Sequence, residues 1–285
     1  MKEKEHVKRS TTLRDGLSGK VPDQVLELLP RAFDTVGTIA IVEIPKGLEK
    51  YEKVIASTLL EVTPSITTVV KKVGGHSGTF RRQKVRVLAG KRVKSTIHCE
   101  NGIRLKVHVE NTYFSARTAT ERMRVATLVR PGEEVLVMFS GIAPFVLVIA
   151  KNSTAKRVVG VEINPKSHAL ALESLEMNKR LKDRVELYNG DVRKIMPKLG
   201  KFDRILMPLP KDAEEFMDMA LGASHAGTVI HYYTFCKEEE IPLAASKILP
   251  VCEKLGRKCR ALRIVKAGQT GVREYRISVD IEVMD

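Results

Sequence analysis

Three residues, Gly141, Glu162 and Asp191, stand where three successive predicted strands end, and together they could hold a nucleoside. Gly141 lies in a turn of small residues that begins at Phe139, and such a turn lets the backbone approach a ligand closely. Glu162 follows 21 positions later, a spacing at which a carboxylate can accept hydrogen bonds from ribose hydroxyls. Asp191 could accept from an adenine amino group, or equally could cap the helix that follows it.

The glycine content of this turn argues against a dinucleotide. A dinucleotide fingerprint needs three spaced glycines, and Gly141 is the one glycine that the turn offers. A strand-to-helix turn with one glycine is also common where no ligand binds. Taken together, however, the three strand ends predict a single nucleoside cofactor, and S-adenosylmethionine fits the set. We therefore predict that Phe139, Gly141, Glu162 and Asp191 bind this cofactor.

A second candidate site is the corner Pro208-Leu209-Pro210, which follows a short apolar strand at residues 203–207. Proline cannot donate a hydrogen bond to a neighbouring strand, so the chain must leave the sheet here in a fixed shape. In open α/β sheets, ligands bind beyond the carboxyl ends of the strands. We therefore predict that Pro208, Leu209 and Pro210 contact the substrate.

Strands and helices alternate along the second half of the chain, after the Pro131-Gly132 turn. The predicted strands are residues 134–139, 157–163, 184–188, 204–207 and 227–234. The predicted helices between them are residues 144–150, 166–181, 192–199 and 213–223. This alternation predicts an α/β fold with a doubly wound, mostly parallel sheet. Two final strands, at 260–265 and 274–283, have no helix between them and predict an antiparallel end to the sheet.

The first half of the chain has a different pattern, typical of a small α+β domain. The predicted elements are strands at 38–44, 85–88, 95–98 and 103–109 and a helix at 53–60. The Asn101-Gly102 dipeptide predicts a hairpin turn between the last two strands. Residues 1–20 are polar and predict a flexible arm. The predicted division is therefore an arm at 1–20, the α+β domain at 21–126 and the α/β domain at 127–285.

The chain is strongly basic, with a formal net charge of +15 and a pI near 9.7, which favours a polyanionic partner such as nucleic acid over a neutral one. Aromatic residues make up 5% of the sequence and tryptophan is absent, which disfavours stacking on many single-stranded bases. A folded RNA held by its backbone fits better, although a basic protein that binds no nucleic acid is the simpler alternative. Basic residues concentrate in one stretch, where Glu100 is the single acid. They are Lys71, Lys72, Arg81, Arg82, Lys84, Arg86, Lys91, Arg92, Lys94, Arg104 and Lys106.

The four cysteines form no Cys-x-x-Cys pair, and no histidine lies at finger-like spacing from them, so we expect no metal site. The first residues are charged, and no run of about 18 apolar residues occurs, so we expect neither a signal peptide nor a membrane span. These features predict a cytoplasmic protein with reduced thiols.

Short motifs occur in a fixed order along residues 25–283 and resemble one family. In the first half they are LPR (29–31), VGTIAI (36–41), GHSGTFR (75–81), IHCENG (97–102) and YFSAR (113–117), followed by Glu121. In the second half they are VEINP (161–165), GDV (190–192) and IHYY (230–233). In this order they resemble the archaeal and eukaryotic tRNA methyltransferases that modify N1 of guanosine 37, together with their wyosine-pathway relatives.

The resemblance implies a class I methyltransferase domain that uses S-adenosylmethionine and acts on the anticodon stem-loop of tRNA. It implies that Glu121 is the general base for the N1 proton and that Arg81 binds guanine O6, where negative charge develops. It also implies that Tyr113 and Arg117 line the pocket around base and cofactor. Without the motif, Glu121 would be an exposed acid paired with Arg117 or Arg124 at helical spacing.

The chain departs from the family pattern in three places. Val137 and Ala143 stand where the cofactor loop usually has aspartate and a second glycine, and Pro208 replaces an asparagine that contacts the guanine. Because family-like sequence starts near the beginning of this chain, we expect it to lack the separate N-terminal tRNA-binding domain found in many members. These departures leave three alternatives: methylation of a wyosine intermediate, transfer of the aminocarboxypropyl group to it, and a catalytically silent tRNA-binding protein. Glu121 favours methylation of guanosine N1, by an enzyme that we expect to be a monomer.

Overall fold

The structure is a computed structural model that describes residues 12–29, 33–75 and 83–285. It divides into two compact units. The smaller comprises Met1–His98 and Val107–Ala116, and the larger comprises Cys99–Lys106 and Arg117–Asp285. An α+β unit thus precedes an α/β unit, as the sequence pattern predicts. No helix in the described ranges is both long and apolar enough to span a bilayer.

The smaller unit is built on a four-stranded sheet with two short helices before it. Its elements are α1 (Leu13–Leu17), α2 (Asp23–Leu28), β1 (Asp34–Val36), β2 (Ile39–Val42), α3 (Glu52–Val62), β3 (Thr68–Lys72) and β4 (Val85–Gly90). The strand order is β1-β2-β3-β4, in which β2 and β3 run parallel and the other neighbours antiparallel. Helix α3 makes the crossover between β2 and β3 and buries Ala56 and Leu59 against the sheet.

The N-terminal segment is more ordered than the predicted arm at residues 1–20. Residues 1–11 lie outside the described part of the chain, but α1 is a helix from residue 13. Thr12 caps it by accepting a hydrogen bond from the backbone N–H of Asp15. Leu17 is fully buried in a cluster with Val25 and Ile55, so burial of this leucine fixes the segment in place.

A hairpin follows the four-stranded sheet. It consists of β5 (Ser95–Glu100) and β6 (Ile103–His108), which form a separate two-stranded sheet. Asn101 and Gly102 both adopt positive φ angles, 45° and 75°, as a two-residue hairpin turn with the right twist requires. The dipeptide therefore predicts the turn correctly.

The larger unit is a seven-stranded sheet with helices on both faces. Its elements are α4 (Ala119–Leu128), β7 (Glu134–Met138), α5 (Pro144–Asn152), β8 (Arg157–Glu162), α6 (Pro165–Met177), β9 (Val185–Asn189), α7 (Val192–Ile195), β10 (Phe202–Met207), α8 (Met217–Gly222), β11 (Ser224–Lys237), α9 (Ala244–Lys254), β12 (Cys259–Gly271) and β13 (Glu274–Val283). The strand order is β12-β13-β11-β10-β7-β8-β9. The five strands from β11 to β9 run parallel, and β13 pairs antiparallel with both β11 and β12. This arrangement confirms the predicted doubly wound sheet with an antiparallel C-terminal end.

Three predicted helices are shorter in the structure. The helix predicted at 213–223 is a 3-10 segment at Ala213–Phe216 followed by α8. The helix predicted at 166–181 ends at Met177, because the amide of Asn178 donates to the backbone carbonyls of Ser174 and Arg104 and a 3-10 segment follows. The helix predicted at 192–199 becomes α7 and a 3-10 turn, because Pro197 has no N–H to continue the helix.

Helix α4 runs across residue 126, where the sequence pattern places the boundary between the two domains. It runs to Leu128 and belongs to the larger unit, where Val125 and Ala126 are fully or almost fully buried. The chain therefore enters the larger unit before the boundary that composition indicates.

The last three strands in the chain extend beyond their neighbour β10. Tyr232 of β11 pairs with Met207, the last residue of β10, yet β11 continues to Lys237, which pairs with Glu274 of β13. Strand β12 follows β13 over the same length. The sheet thus has a three-stranded antiparallel extension at the edge where the parallel strands end.

Candidate active site

The predicted cofactor residues meet at the point where the strand order reverses. Strand β7 lies between β8, which follows it in the chain, and β10, which comes later. Connections therefore leave in opposite directions from the carboxyl ends of β7 and β10, and this opens a crevice there. Phe139 and Gly141 follow β7, Glu162 ends β8, Asp191 follows β9, and Pro208 follows β10.

The turn after β7 is held in an unusual backbone conformation. Phe139, Gly141 and Ala143 all have positive φ angles, 52°, 59° and 66°. The N–H of Ser140 donates to the carbonyl of Val161 on β8 at 2.9 Å, which ties the turn to the next strand. A left-handed conformation costs a non-glycine residue about 1–2 kcal/mol. Alanine at 143, where the family pattern has glycine, therefore keeps the shape of the turn at a cost in stability.

Phe139 is partly buried and fixed by an aromatic neighbour. Its ring meets the ring of Phe216 edge to face, with centroids 4.8 Å apart. The guanidinium of Arg193 lies over the Phe216 ring, 4.0 Å from its centroid. The side chain at the start of the turn is thus part of a packed wall of the crevice.

Glu162 joins three strand ends through its own hydrogen bonds. Its Oε2 accepts from the N–H of Gly141 and its Oε1 from the N–H of Asn164, both at 2.7 Å. Its backbone carbonyl accepts from the N–H of Gly190 at 2.9 Å. Burial raises the pKa of this carboxyl, and the backbone N–H bonds oppose that rise without cancelling it.

These contacts leave Glu162 with capacity for a ligand. Each carboxylate oxygen can accept more than one hydrogen bond, so both can accept a ribose hydroxyl in addition to the backbone N–H. Asp191 accepts from the N–H of Arg193 through Oδ1 at 2.9 Å, which confirms the capping alternative and uses one of its two oxygens. The residues at this edge therefore fit a nucleoside.

Ile163 is a further candidate that the sequence argument did not single out. It lies between Glu162 and Asn164 and is 45% exposed although it is a large apolar residue. The signal that could have found it is an isoleucine directly after the last buried residue of a strand. An exposed apolar side chain beside a ribose-binding carboxylate offers a surface on which a flat base can pack.

We expect Glu162→Gln to weaken binding of S-adenosylmethionine by about 10- to 100-fold, the range for losing hydrogen bonds to a charged group. The amide NH₂ of glutamine would face the N–H of Gly141 or Asn164 and could accept from neither a backbone N–H nor a hydroxyl. Isothermal titration calorimetry measures the affinity. The control is Glu186→Gln, which removes an acid from β9 that pairs with Arg157 outside the crevice. Unchanged affinity in Glu162→Gln would exclude this carboxylate from the cofactor site.

The proline corner has the shape that its sequence predicts. Strand β10 ends at Met207, whose carbonyl accepts a hydrogen bond from the N–H of Leu209 at 2.8 Å, so Pro208 is the centre of a three-residue turn. Pro210 is buried, whereas Pro208 and Leu209 are partly exposed. The exposed part of the corner carries no side-chain hydrogen-bond donor, and its contact with a substrate stays a prediction.

Glu121 lies in the first turn of α4 and is buried, with 4% of its side chain exposed. Arg124 donates to Oε2 through Nε at 2.7 Å and to Oε1 through Nη2 at 2.8 Å. The hydroxyl of Tyr233 also donates to Oε1, at 2.6 Å. The helical pairing with Arg124 that we considered is therefore present, but the exposure expected with it is wrong, because β11 and β13 cover the pair.

Arg124 connects Glu121 to a second buried acid. Its Nη1 donates to Oδ2 of Asp280 at 2.7 Å and its Nη2 to Oδ1 at 3.2 Å. Burial lowers the pKa of Arg124, but the two carboxylates outweigh burial and raise it. Asp280 also accepts from the hydroxyl of Ser278 at 2.8 Å. Burial raises the pKa of Asp280, but its bonds with His231 and Arg124 prevail and hold it well below the usual range.

The chain of contacts continues from Asp280 through His231 to Arg204 and Glu133. His231 Nδ1 lies 2.6 Å from Asp280 Oδ1, and His231 Nε2 lies 2.9 Å from Nη1 of Arg204. A guanidinium can only donate, so Nε2 must accept and the proton must be on Nδ1. His231 is therefore neutral, in agreement with the direction in which burial shifts its pKa, which is downward. Arg204 is in turn held by both carboxylate oxygens of Glu133, at 2.7 and 3.0 Å.

We call Glu121, Arg124, Asp280, His231, Arg204 and Glu133 the buried charge chain. The sequence argument missed four of its members: Asp280, His231, Arg204 and Glu133. His231 lies in the IHYY motif, and its position in a buried strand is the one available signal. The pair of Arg124 and Asp280 is separated by 156 positions, so no local pattern relates them.

The remaining predicted site residues are placed as follows. Arg117 is exposed, in the 3-10 segment Ala116–Thr118 that precedes α4. Tyr113 belongs to the smaller unit and is 38% exposed. Arg81 lies outside the described residues. The roles of these three residues stay predictions.

The basic stretch at 71–106 is less charged in the folded chain than in the sequence. In the smaller unit, Lys71 and Arg86 both pair with Glu52, which comes from α3. In addition, Lys72 pairs with Glu43 and Lys94 with Glu110. The count that found Glu100 as the only acid is therefore wrong as a measure of the field, because acids from other segments neutralise these cations. Among the described cations of this stretch in the smaller unit, Lys84, Lys91 and Arg92 are exposed to solvent, as is Arg86 beside Glu52.

The four cysteines are all reduced. Within residues 12–29, 33–75 and 83–285, no cluster of three or more histidine, cysteine, aspartate or glutamate side chains could hold a metal ion.

Comparison with known proteins identifies relatives along most of the chain. A family model for the TRM5/TYW2 methyltransferase domain matches residues 96–262, and one for the TYW2 N-terminal domain matches residues 13–93. The tRNA (guanine(37)-N(1))-methyltransferase Trm5b of Pyrococcus abyssi is 38% identical over 266 residues, which cover 92% of this chain and 78% of that protein.

Two further similarities cover both branches of the family. The tRNA(Phe) (4-demethylwyosine(37)-C(7)) aminocarboxypropyltransferase of Pyrococcus horikoshii is 34% identical over 231 residues, which cover 81% of each chain. Among solved structures, a complex of aTrm5 and tRNALeu superposes with a TM-score of 0.86 at 30% identity, covering 99% of this chain and 80% of that one.

Proposed function

Because the chain belongs to the TRM5/TYW2 methyltransferase family, we propose that it transfers a methyl group from S-adenosylmethionine to N1 of guanosine 37 in tRNA. The observation that carries this proposal is the buried carboxylate of Glu121, which Arg124 and Tyr233 fix in direction. Guanine N1 carries a proton and is a poor nucleophile, so methyl transfer to it needs a base.

Glu121 has room for that proton. A carboxylate has about four acceptor positions, and Arg124 and Tyr233 occupy three of them. The position left on Oε2 can accept the N1–H of guanine, which then passes to the carboxylate as the new bond forms. Arg124 and Tyr233 keep the carboxylate from rotating away, so its direction is set before the substrate arrives.

S-adenosylmethionine is the cofactor of this family, and the residues at the strand ends would hold it. Glu162 accepts from the ribose hydroxyls, Ile163 packs against the adenine, and Asp191 offers its second oxygen to the adenine amino group. Phe139 and Gly141 shape the turn beside the ligand. When bound, the cofactor supplies a methyl group on a positively charged sulfur.

The base side of the site is proposed from the resemblance and from the corner. Pro208, Leu209 and Pro210 form a rigid surface after β10, and the guanine lies against it. From the resemblance alone, Arg81 is proposed to bind O6 and stabilise the negative charge that develops there, and Tyr113 and Arg117 are proposed as binding residues for base and cofactor. The partner is tRNA, bound at its anticodon stem-loop, and we propose that the protein works as a monomer in the cytoplasm.

The proposal is tested with unmodified tRNA transcripts that carry guanosine or adenosine at position 37. Two preparations of cofactor, labelled on the methyl or on the aminocarboxypropyl group, separate the two transfer chemistries. We expect N1-methylguanosine, by mass spectrometry of nucleosides, from the guanosine transcript and the methyl label alone. Product from a wyosine-precursor tRNA but not from guanosine 37 would favour the wyosine alternatives. No product from any substrate, without cofactor binding, would favour a silent tRNA-binding protein.

A further inference from the structure

We propose that Asp280, acting through Arg124, is a positioning residue that keeps Glu121 a strong enough base to take the guanine N1 proton. The inference rests on the proposed function, because it concerns the proton that methyl transfer at N1 releases. Its evidence is the way in which one guanidinium is divided between two buried carboxylates.

Arg124 is shared by Glu121 and Asp280. Its Nε and Nη2 bind Glu121 at 2.7 and 2.8 Å, while its Nη1 and Nη2 bind Asp280 at 2.7 and 3.2 Å. The two carboxylate side chains are 4% and 2% exposed, so water screens neither of them well. A shared cation stabilises each carboxylate less than an undivided one would, and the second carboxylate repels the first.

The charges of the buried charge chain are balanced once a neighbouring arginine is counted. Its carboxylates are Glu121, Asp280 and Glu133, its guanidiniums are Arg124 and Arg204, and His231 is neutral. Arg263 lies outside the chain, but its Nε is 3.7 Å from Oδ2 of Asp280, and it supplies the third positive charge.

The three carboxylates differ in how their negative charge is compensated. Glu133 has both oxygens bound by Arg204 alone. Asp280 receives hydrogen bonds from Ser278, His231 and Arg124, which stabilise its charged form. Glu121 has Tyr233 and its share of Arg124. Glu121 therefore shares its guanidinium with Asp280, whereas Asp280 also pairs with Arg263 and Glu133 has Arg204.

Other charged groups around this pair are few. Arg263 of β12 approaches Asp280, with its Nε 3.7 Å from Oδ2, and it is half exposed. Tyr233 of β11 is neutral, since burial and the neighbouring Glu121 raise the pKa of its hydroxyl well above the usual value. On β11 and β13, His231 and Ser278 complete the shell of Asp280.

Two substitutions should change the base strength of Glu121 in opposite directions. In Asp280→Asn, Glu121 keeps Arg124 without a competing negative charge, so its charged form is better stabilised and it becomes a weaker base. In Tyr233→Phe, Glu121 loses a hydrogen-bond donor to its charged form, so it becomes a stronger base. The rate of methyl transfer increases with pH as the base loses its proton. We expect the acidic limb of that profile to move down by about one pH unit in Asp280→Asn and up by about one in Tyr233→Phe.

The experiment measures single-turnover methylation of the guanosine 37 transcript against pH for the full chain and both variants. Glu282→Gln is the matched control, because it removes an acid from β13 whose partner Arg260 is exposed, and its limb should stay with that of the wild type. If Asp280→Asn does not fold, Asp280→Ser, which keeps an acceptor for His231, replaces it with the same expected shift.

Opposite shifts of the two limbs support the inference. Limbs that stay in place, or that move in the same direction in both variants, overturn it, because damage to packing has no reason to act with opposite signs. A wild-type protein that forms no N1-methylguanosine instead contradicts the proposed function. Glu121→Gln, alone and combined with Asp280→Asn, gives a further check: with the base removed, the limb should be absent from both profiles, and the second substitution should not change the residual rate.

Discussion

Glu121→Gln is expected to slow methyl transfer to guanosine N1 by about 10²- to 10⁴-fold, the usual contribution of a general base. Glutamine keeps the shape of the side chain and can still accept from Tyr233 and Arg124 through its remaining oxygen. It cannot take up a proton at neutral pH. Arg124 also remains paired with Asp280, so the substitution leaves no isolated buried cation. The loss should therefore appear in the chemical step.

Single-turnover kinetics with saturating tRNA and cofactor isolates that step, and calorimetry reports whether either ligand binds differently. The control is Glu173→Gln, the same substitution on the exposed face of α6. Equal losses of rate and of tRNA affinity would contradict a catalytic role, since they would indicate a residue that only binds. A rate near that of the wild type would mean that another group removes the proton.

Arg204→Met is expected to lower the free energy of unfolding by about 3–5 kcal/mol, the cost of breaking a buried ion pair by removing one partner. Methionine fills a similar volume but leaves the carboxylate of Glu133 without its cation. It also leaves His231 Nε2 and the carbonyl of Leu128 without a donor. The side chains of Arg204 and Glu133 are 4% and 11% exposed, so water cannot replace the lost bonds fully.

Urea denaturation followed by circular dichroism measures this effect. Lys156→Met is the matched control: its side chain is 70% exposed, and its partner Glu134 keeps a second cation, Arg157. We expect no measurable change in the control, because exposed pairs contribute little. If the two substitutions had equally small effects, Arg204 and Glu133 would have to be solvated, and the buried charge chain would end at His231.

The sequence predicts those features that depend on neighbouring residues. Alternation of short apolar runs with helical segments predicts the parallel strands, and two prolines after Met207 define where β10 ends. The turn at Asn101 and Gly102 follows from the φ angles that this dipeptide tolerates. Each of these signals lies within a few positions of the structure that it specifies, so it can be detected without knowledge of the fold.

The buried surroundings of Glu121 could not be predicted in the same way. Helical spacing indicates Arg124 as a partner, but burial depends on β11 and β13, which lie more than a hundred positions later. The basic stretch shows the same limit, because Glu52 reaches Lys71 only when α3 packs on the sheet. Electrostatics in a folded protein depends on distances in space, which charge counts along the chain do not contain.

The buried charge chain also limits how this protein could change over generations. Each of its six side chains contacts the next, from Glu133, which directly precedes β7, to Glu121, the proposed base. A replacement at one position alters which replacements the next position can accept. We therefore expect substitutions at the six positions to depend on one another. A homologue with a different residue at Glu121 should also differ at other positions of the buried charge chain.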